Sequence, residues 1–494
     1  MTERSPMAEI LELKRDRLRR LRERGVDPFP PRFERTHEAA AVLDEARTPL
    51  GSPATVAGRL VQIREMGKAS FAHIEDGSGR IQIYVRSDRV GADAYDFFKR
   101  DLHLGDFLGA QGKVFKTRTG ETTLEAARLT LLAKAFRSPP EKWHGLKDPE
   151  LRHRFRHLDL MASPEVRRGF EKRSRLVRAV RGAMDAMGFL EVETPVLLPQ
   201  AGGAAATPFQ THHRALDRTL VLRIATELYL KRLIIGGFER VYEVGRIFRN
   251  EGVDTRHNPE FTMMEAYQAY ADYHGMARLA EGLFDAGCRT LGFEEVEYRG
   301  RKLRLQPPFR SLSLPDLWRD ACGEDIHAVL KGKDFDRGGL ERLASRLGVE
   351  AGPATPSAKV FERIFDARIL PGLWEPAFVL DHPTAITPLA KCKPGDESLV
   401  ERFELFAGME EIANAYTELN DPDDQRERLE IQLRHRKAGD AEADILDADF
   451  VEALEHGMPP TGGIGVGIDR MAMLFTGNPS IREVILFPAL RPET

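Results

Sequence analysis

Two patterns predict an α+β chain with a small β-barrel at the N-terminal end and a larger domain built on an antiparallel sheet flanked by helices. From about Ala54 to Phe136, short β-branched and aromatic runs alternate with turn signals, as in a small all-β barrel. Further on, long amphipathic patterns surround β-like runs that fold back across polar loops and tight turns. The length of 494 residues agrees, since an ordinary domain has ~150 residues. There are 73 basic and 77 acidic residues, a formal net charge of −4. That balance excludes a globally basic nucleic-acid coat but allows a local basic surface. No run approaches the ~18 apolar residues of a membrane span, and Met-Thr-Glu-Arg-Ser-Pro lacks the apolar centre of a signal peptide. Cys288, Cys322 and Cys392 are far apart. They speak against a disulfide framework or CxxC zinc site and for a reducing cytoplasm.

Taken in order, residues 1–50 form a basic N-terminal helix and extension. Ile10, Leu11, Leu13, Leu18 and Leu21 are the helix's apolar positions, and Gly25 with Pro28, Pro30 and Pro31 ends it. Its other face carries Lys14, Arg15, Arg17, Arg19, Arg20, Arg22 and Arg24 against Asp16 and Glu23. Two readings stand: a solvated helix docked on its own protein, or a contact to RNA phosphates. In the barrel region, 51–137, the runs are 57–63, 70–74, 81–85, 106–110 and 112–115, which fits a five-stranded oligonucleotide-binding (OB) barrel. Phe71, Gln82 and Phe115 either offer stacking and base-edge contacts on its face or fill its core. Residues 138–150 read as a linker around Ser138-Pro139-Pro140. The second domain, 151–494, opens with a helix at about 165–187, apolar along Phe170, Leu176, Val177, Val180, Met184 and Met187, with Gly188 at its C′ position.

Three blocks carry chemistry. In Arg240–Tyr270, two β-like runs flank a polar loop closed by Asn258-Pro259. Period-two geometry groups Ile247, Arg249 and Glu251 on one strand face, and Phe261, Met263, Glu265 and Tyr267 on the other strand's. An arginine, carboxylates and aromatics on one face suit a site for a polyanion, a ring and a cation better than a core. In 400–420, a two-residue turn at Ala407-Gly408 sets Glu404 opposite Glu411. Two facing carboxylates repel unless a cation lies between them, and all-oxygen ligation suits Mg²⁺; a register slip would instead send one to solvent. Asn414, Tyr416 and Glu418 then change parity, so they share that face only if a bulge occurs near Ile412-Ala413. The third block, Gly463–Arg470, reads GIGVGIDR. It is neither a Rossmann fingerprint nor a P-loop. It is a strand whose missing side chains admit a flat ligand, ending in an arginine able to stack on a purine opposite Phe261.

These blocks, in this order, resemble the three signature motifs of class II aminoacyl-tRNA synthetases: GFLEVETP the first, FRNEG with RHNPEFTMME the second, GIGVGIDR the third. The further strings MGKASF, HGLKDPELRHRFRHLDL, GGAAATPF, TELYLKRLIIGGFER, NAYTELNDP and EHGMPPTGG resemble class II lysyl-tRNA synthetases over nearly the whole chain. No HIGH or KMSKS string occurs. The resemblance implies an OB-fold anticodon-binding domain and a class II catalytic domain with a helical insertion at about 310–375. It implies a cytoplasmic homodimer that uses ATP, L-lysine, Mg²⁺ and tRNA-Lys, with no membrane partner. By the same resemblance, Arg249 holds the α-phosphate and the lysine carboxylate, and Glu251 accepts from the adenine amino group. Arg256 and His257 lie near the outer phosphates, Phe261 and Arg470 sandwich the adenine, and Glu404 and Glu411 bridge the metal. Gly203 and Glu227 receive the α-amine, and Phe71 and Gln82 meet the anticodon.

Aspartate- and asparagine-specific relatives share the barrel and the motifs, but an aspartate site needs a cation around the side chain. Glu265, Tyr267, Asn414, Tyr416 and Glu418 instead suit an ammonium. Thr207 replaces an expected arginine, Thr226 a usual proline, and Ala413 and Ala415 glycines of some relatives. Two rivals remain, a protein-modifying lysine ligase like the elongation factor P ligases, and an RNA-binding paralogue without catalysis. The barrel counts against the first, and intact Arg249, Glu251, Glu404, Glu411 and Arg470 against the second.

Overall fold

The computed structural model describes residues 6–137, 139, 148–352, 354–437 and 446–492. Most of the expected linker at 138–150 lies outside the described residues. The chain divides into two compact units, Met1–Leu146 and Lys147–Thr494.

The first unit begins with helix α1 (Pro6–Glu23), which stops before Gly25 at φ +74°. Leu18 and Leu21 are buried, while Leu13 is 60% exposed rather than on the apolar face. Five strands follow: β1 (Pro53–Met66), β2 (Ala69–Glu75), β3 (Arg80–Arg86), β4 (Phe107–Lys116) and β5 (Thr122–Ala133). They close a barrel in the order β1-β2-β3-β5-β4, with α2 (Ala92–Arg100) between β3 and β4. Alternation places Ala72, Ile74, Ile81, Ile83 and Val85 inside. The runs at 106–110 and 112–115 are one strand rather than two, broken in pattern by a register shift between Gln111 and Gly112. A Cβ at Gly112 would collide with the Glu125 carbonyl, so the glycine permits a close strand approach instead of ending a strand. The fifth strand is β5, which none of the five expected runs covered.

In the second unit α3 (Pro164–Ala186) buries Leu176, Val180 and Met184 and ends at Gly188, φ +77°. Its sheet has eight strands: β6 (Leu190–Glu191), β7 (Arg240–Phe248), β8 (Glu260–Ala269), β9 (Arg310–Ser313), β10 (Ala377–Leu380), β11 (Arg402–Ala407), β12 (Glu410–Thr417) and β13 (Thr461–Gly467). Their order is β9-β10-β11-β12-β13-β8-β7-β6. The six central strands are antiparallel, and only the two outermost pairings are parallel. Helix α4 (Glu227–Ile235) precedes β7, and α5 (Tyr273–Leu291) packs with α3 in the main core. Between β9 and β10, α6 (Leu314–Cys322), α7 (Arg337–Leu347) and α8 (Ser357–Arg368) enclose a separate apolar cluster in which Trp318 stacks on Phe361 at 4.7 Å. Helices α9 (Ala448–Glu455) and α10 (Ile468–Thr476) flank β13. Among the described residues, no helix is long and apolar enough to cross a membrane.

Candidate active site

The glycine strand β13 is the floor of the site. It lies between β8 and β12, with Gly463 opposite Tyr267 and Tyr416, and Gly465 opposite Glu265 and Asn414. Any Cβ at Gly463 would strike Glu418 and the Tyr267 ring, and one at Gly465 would lie 2.5 Å from Met263 Cε. The neighbouring side chains therefore lean over a bare backbone. Above it opens a cavity of about 700 Å³, within the range of small-molecule sites.

Gly203, Glu227, Arg249, Glu251, Arg256 and His257 line one part of that cavity. Phe261, Glu265, Tyr267, Glu404, Glu411, Asn414, Tyr416 and Arg470 line another part, with Arg402 beside them. The pairing of β7 with β8 runs from Arg240–Gln268 to Phe248–Glu260, and Arg249 N–H extends it to the Pro259 carbonyl at 2.9 Å. Ile247 shares the face but is buried and off the cavity wall. The Arg249 guanidinium sits 5.3 Å over the Phe261 ring. Burial pulls its pKa down, while Glu251, Glu411 and Glu265 oppose that shift. In the intervening loop, Arg256 reaches Glu410 at 3.1 Å and His257 reaches Asp254 at 2.9 Å. Asn258 closes the loop through the Glu260 carbonyl and the Ala489 N–H.

The hairpin of β11 and β12 differs from expectation. Its turn is Gly408-Met409, with φ of +60° and +62°, and Ala407 pairs with Glu410. This turn needs two positive φ values, and the Gly408 and Met409 N–H groups are held there by the Trp374 and Leu373 carbonyls. Glu404 consequently faces Asn414, and Glu411 faces Phe406. The register shift between Leu405 and Phe406 leaves Ile412 unpaired. This bulge returns Glu411, Asn414 and Tyr416 to the cavity side. The two glutamates share the wall without being directly cross-strand partners. Each has an arginine: Arg402 reaches Glu404 at 2.6 Å, and Arg470 reaches Glu411 at 3.1 Å. Burial pushes Glu404 up to about 7; Arg402 opposes this and the charge on Glu411 adds to it.

Glu265 is buried on the wall. Its Oε1 accepts from Thr226 N–H at 3.1 Å, and its Oε2 has no hydrogen-bond donor among the described residues. Burial, with Glu227 beside it, raises its pKa to about 7. Glu418, expected to meet the ligand, is fully buried beside Gly463, where its Oε1 occupies the place a Cβ there would take. It forms an ion pair with Lys231, because a buried carboxylate takes the nearest ammonium. Three further residues escaped the sequence reading. Arg402 also donates to Asn414 at 2.9 Å, and its period-two spacing from Glu404 was the available signal. Lys231 stands four residues after Glu227, the spacing of helical ion pairs. Asp469 accepts from Thr262 N–H at 2.7 Å and pairs with Arg173, fixing the start of α10.

On the barrel, Phe71 and Gln82 lie on the outer face rather than in the core. Phe71 stacks on Tyr84 at 4.5 Å, Tyr84 lies 5.9 Å from Phe115, and all three are half-buried. Gln82 donates to Glu121 at 2.8 Å and accepts from Thr123 at 2.8 Å.

Residues 148–491 match the model of the class II tRNA synthetases (D, K and N). The chain belongs to that family. Residues 54–132 match an OB-fold nucleic acid binding domain. A lysine–tRNA ligase of Pelotomaculum thermopropionicum is 50% identical over 485 residues, covering 98% of this chain and 95% of the relative. One from Moorella thermoacetica is 49% identical over 486 residues, covering 98% of both chains. One from Bacillus subtilis is 48% identical over 489 residues, covering 97% of each. This class II synthetase therefore joins an OB-fold to an antiparallel catalytic sheet, as its sequence pattern predicted.

Proposed function

We propose that this synthetase activates L-lysine with ATP and esterifies it to the 3′ end of tRNA-Lys, acting in the cytoplasm as a homodimer. The observation that carries the choice of amino acid is the buried, donor-less Oε2 of Glu265, set among Glu227, Tyr267, Asn414 and Tyr416. That wall suits an ammonium, since the arginines beside it are engaged by Glu404 and Asn414 (Arg402) or turned to the Phe261 ring (Arg249). Arg249 receives the lysine carboxylate and the α-phosphate, Glu251 the adenine amino group, and Phe261 and Arg470 the ring. Arg256 and His257 attend the outer phosphates, Gly203 and Glu227 the α-amine, and Glu418 acts from beside Gly463.

An oxygen of the lysine carboxylate attacks the α-phosphorus in line, and pyrophosphate leaves. The ribose hydroxyl of the terminal tRNA nucleotide then attacks the carbonyl carbon, and AMP leaves. Positioning and charge stabilisation by Arg249 carry the first step. Glu404 and Glu411 fit a hard divalent cation such as Mg²⁺: both are carboxylates on the wall, and burial beside a like charge holds Glu404 near 7. When bound, the ion neutralises phosphate charge. The exposed Leu190, Val196 and Leu197, beside the first motif, supply an apolar face for a second copy.

Lysine-dependent ATP–pyrophosphate exchange followed by charging of total tRNA tests the reading. Both are expected; exchange without charging would favour a protein ligase, and no exchange an RNA-binding paralogue. Glu411→Gln is expected to weaken adenylate formation and its Mg²⁺ dependence, and unchanged behaviour would remove Glu411 from the metal site.

A further inference from the structure

Behind the amino-acid wall lies a cation of the protein's own. The Lys231 side chain is fully buried on α4 and does not touch the cavity. Its Nζ is 2.6 Å from Glu227 Oε1, is paired with Glu418, and lies 5.8 Å and 5.7 Å from the Tyr416 and Phe450 ring centroids. Glu227 is thereby held at both oxygens, because the Tyr416 hydroxyl donates to Oε2 at 2.8 Å. An ammonium enclosed by two carboxylates and two aromatic faces is what the neighbouring wall would offer a lysine.

The charges make the arrangement specific. Glu227, Glu265 and Glu418 influence one another. Burial raises both Glu265 and Glu418, and the other carboxylates add to the effect. Lys231 opposes the rise at Glu418, and its own pKa is raised by Glu227 and Glu418 despite burial. Among the described residues, the other titratable or charged groups acting on this cluster are Tyr267 and Tyr416, both kept neutral by burial, with Arg249 near Glu265 and Arg402 near Tyr416. When a bound cation holds all three carboxylates ionised, the internal ammonium offsets one of them and two negative charges are left for the ligand. A lysine substrate brings two ammonium groups, and Arg249 is left for its carboxylate.

Resting on the proposed lysine specificity, we infer that Lys231 is a positioning residue, a built-in counter-ion that fixes Glu227 and Glu418 and sets the pocket's charge to match a diammonium substrate. It never touches that substrate. Without it, nothing opposes the rise at Glu418, and Glu227 loses one of the two partners that orient it. Lysine binding then suffers while ATP binding does not.

The test is lysine-dependent ATP–pyrophosphate exchange from pH 6 to 9 at saturating ATP and Mg²⁺. Lys231→Met is expected to raise the lysine KM at pH 7 by about 100-fold, with the KM for ATP nearly unchanged. The acid limb of its lysine KM profile should move up by about one to three pH units, the range an opposite charge at this distance produces. The double variant Lys231→Met/Glu418→Gln removes one charge of each sign and so keeps the cluster's net charge. It should keep a high lysine KM while the limb returns to its wild-type position. An unmoved limb in Lys231→Met, or an equal shift in the double variant, would overturn the inference. Wild-type protein that shows no lysine-dependent exchange would overturn the lysine reading instead.

Discussion

Thr226 directly precedes Glu227, and its backbone N–H donates to Glu265 Oε1 at 3.1 Å. A proline there, the residue the family resemblance leads one to expect, has no N–H to donate. This donor opposes the rise that burial causes, and with it in place Glu265 still stands at about 7. For a carboxyl raised in this way, the ammonium-binding form prevails above pH 7 and is lost as the pH falls through 7. The lysine KM should therefore rise steadily from pH 7.5 to 6, as initial rates of exchange will show. Thr226→Pro should raise it further at pH 7, by about 10- to 100-fold for a lost hydrogen bond to a charged group, with recovery near pH 8.5. Thr226→Ala keeps the N–H and should stay within about threefold of wild type. A Thr226→Ala defect as deep as that of the proline variant would assign the effect to the hydroxyl, which also acts on Glu265.

The glycines of β13 differ in what stands above them. At Gly463 a Cβ meets a carboxylate oxygen and the edge of a packed ring, neither of which can retreat from its buried place. At Gly465 it meets the terminal methyl of Met263, the far end of a flexible chain. Gly463→Ala should thus raise the lysine KM by about 100-fold or more and Gly465→Ala by about tenfold or less, measured by exchange; the order follows from which neighbour can move. Spacing alone indicated that this strand is a floor, because three alternate glycines read the same way in sequence and in space. Spacing also put the second-motif residues on common faces. The β11–β12 hairpin was harder, since Ala407-Gly408 and Gly408-Met409 are both plausible turns in sequence. Only the packing of Gly408 and Met409, whose N–H groups bond to the Trp374 and Leu373 carbonyls, selects the second. Ion pairs such as Lys231 with Glu418 join residues 187 positions apart, and no local pattern announces them. The strand β5 went unread for a related reason: its Thr-Leu-Glu-Ala-Ala-Arg start alternates weakly, and its pairing with β3 and β4 decides its state.

At the scale of the molecule, each unit has its own apolar core, so the two steps of the reaction should be separable by mutation. The N-terminal helix belongs to the first unit by packing: Leu18 and Leu21 are buried, Arg24 pairs with Asp101 at 2.7 Å, and Arg17 contacts His103. Docking is thus one of its roles, while Arg15, Arg20 and Arg22 remain exposed. The aromatic ladder Phe71–Tyr84–Phe115 gives the sharper separation. Its rings lie on the outer face of a barrel whose interior is filled without them, so truncating Phe71 leaves the barrel core intact. A base stacked on such a ring contributes about 1–3 kcal/mol, or roughly 5- to 150-fold in affinity. Phe71→Ala should lower kcat/KM for tRNA charging by a factor in that range and leave ATP–pyrophosphate exchange at the wild-type rate, because every group proposed for the first step lies in the second unit. The ratio of the two activities in one preparation is the measurement, since it cancels any difference in the amount of folded enzyme. Parallel loss of both would mean that Phe71 supports the fold, and an unchanged ratio with full activity would place the anticodon contact elsewhere on the barrel.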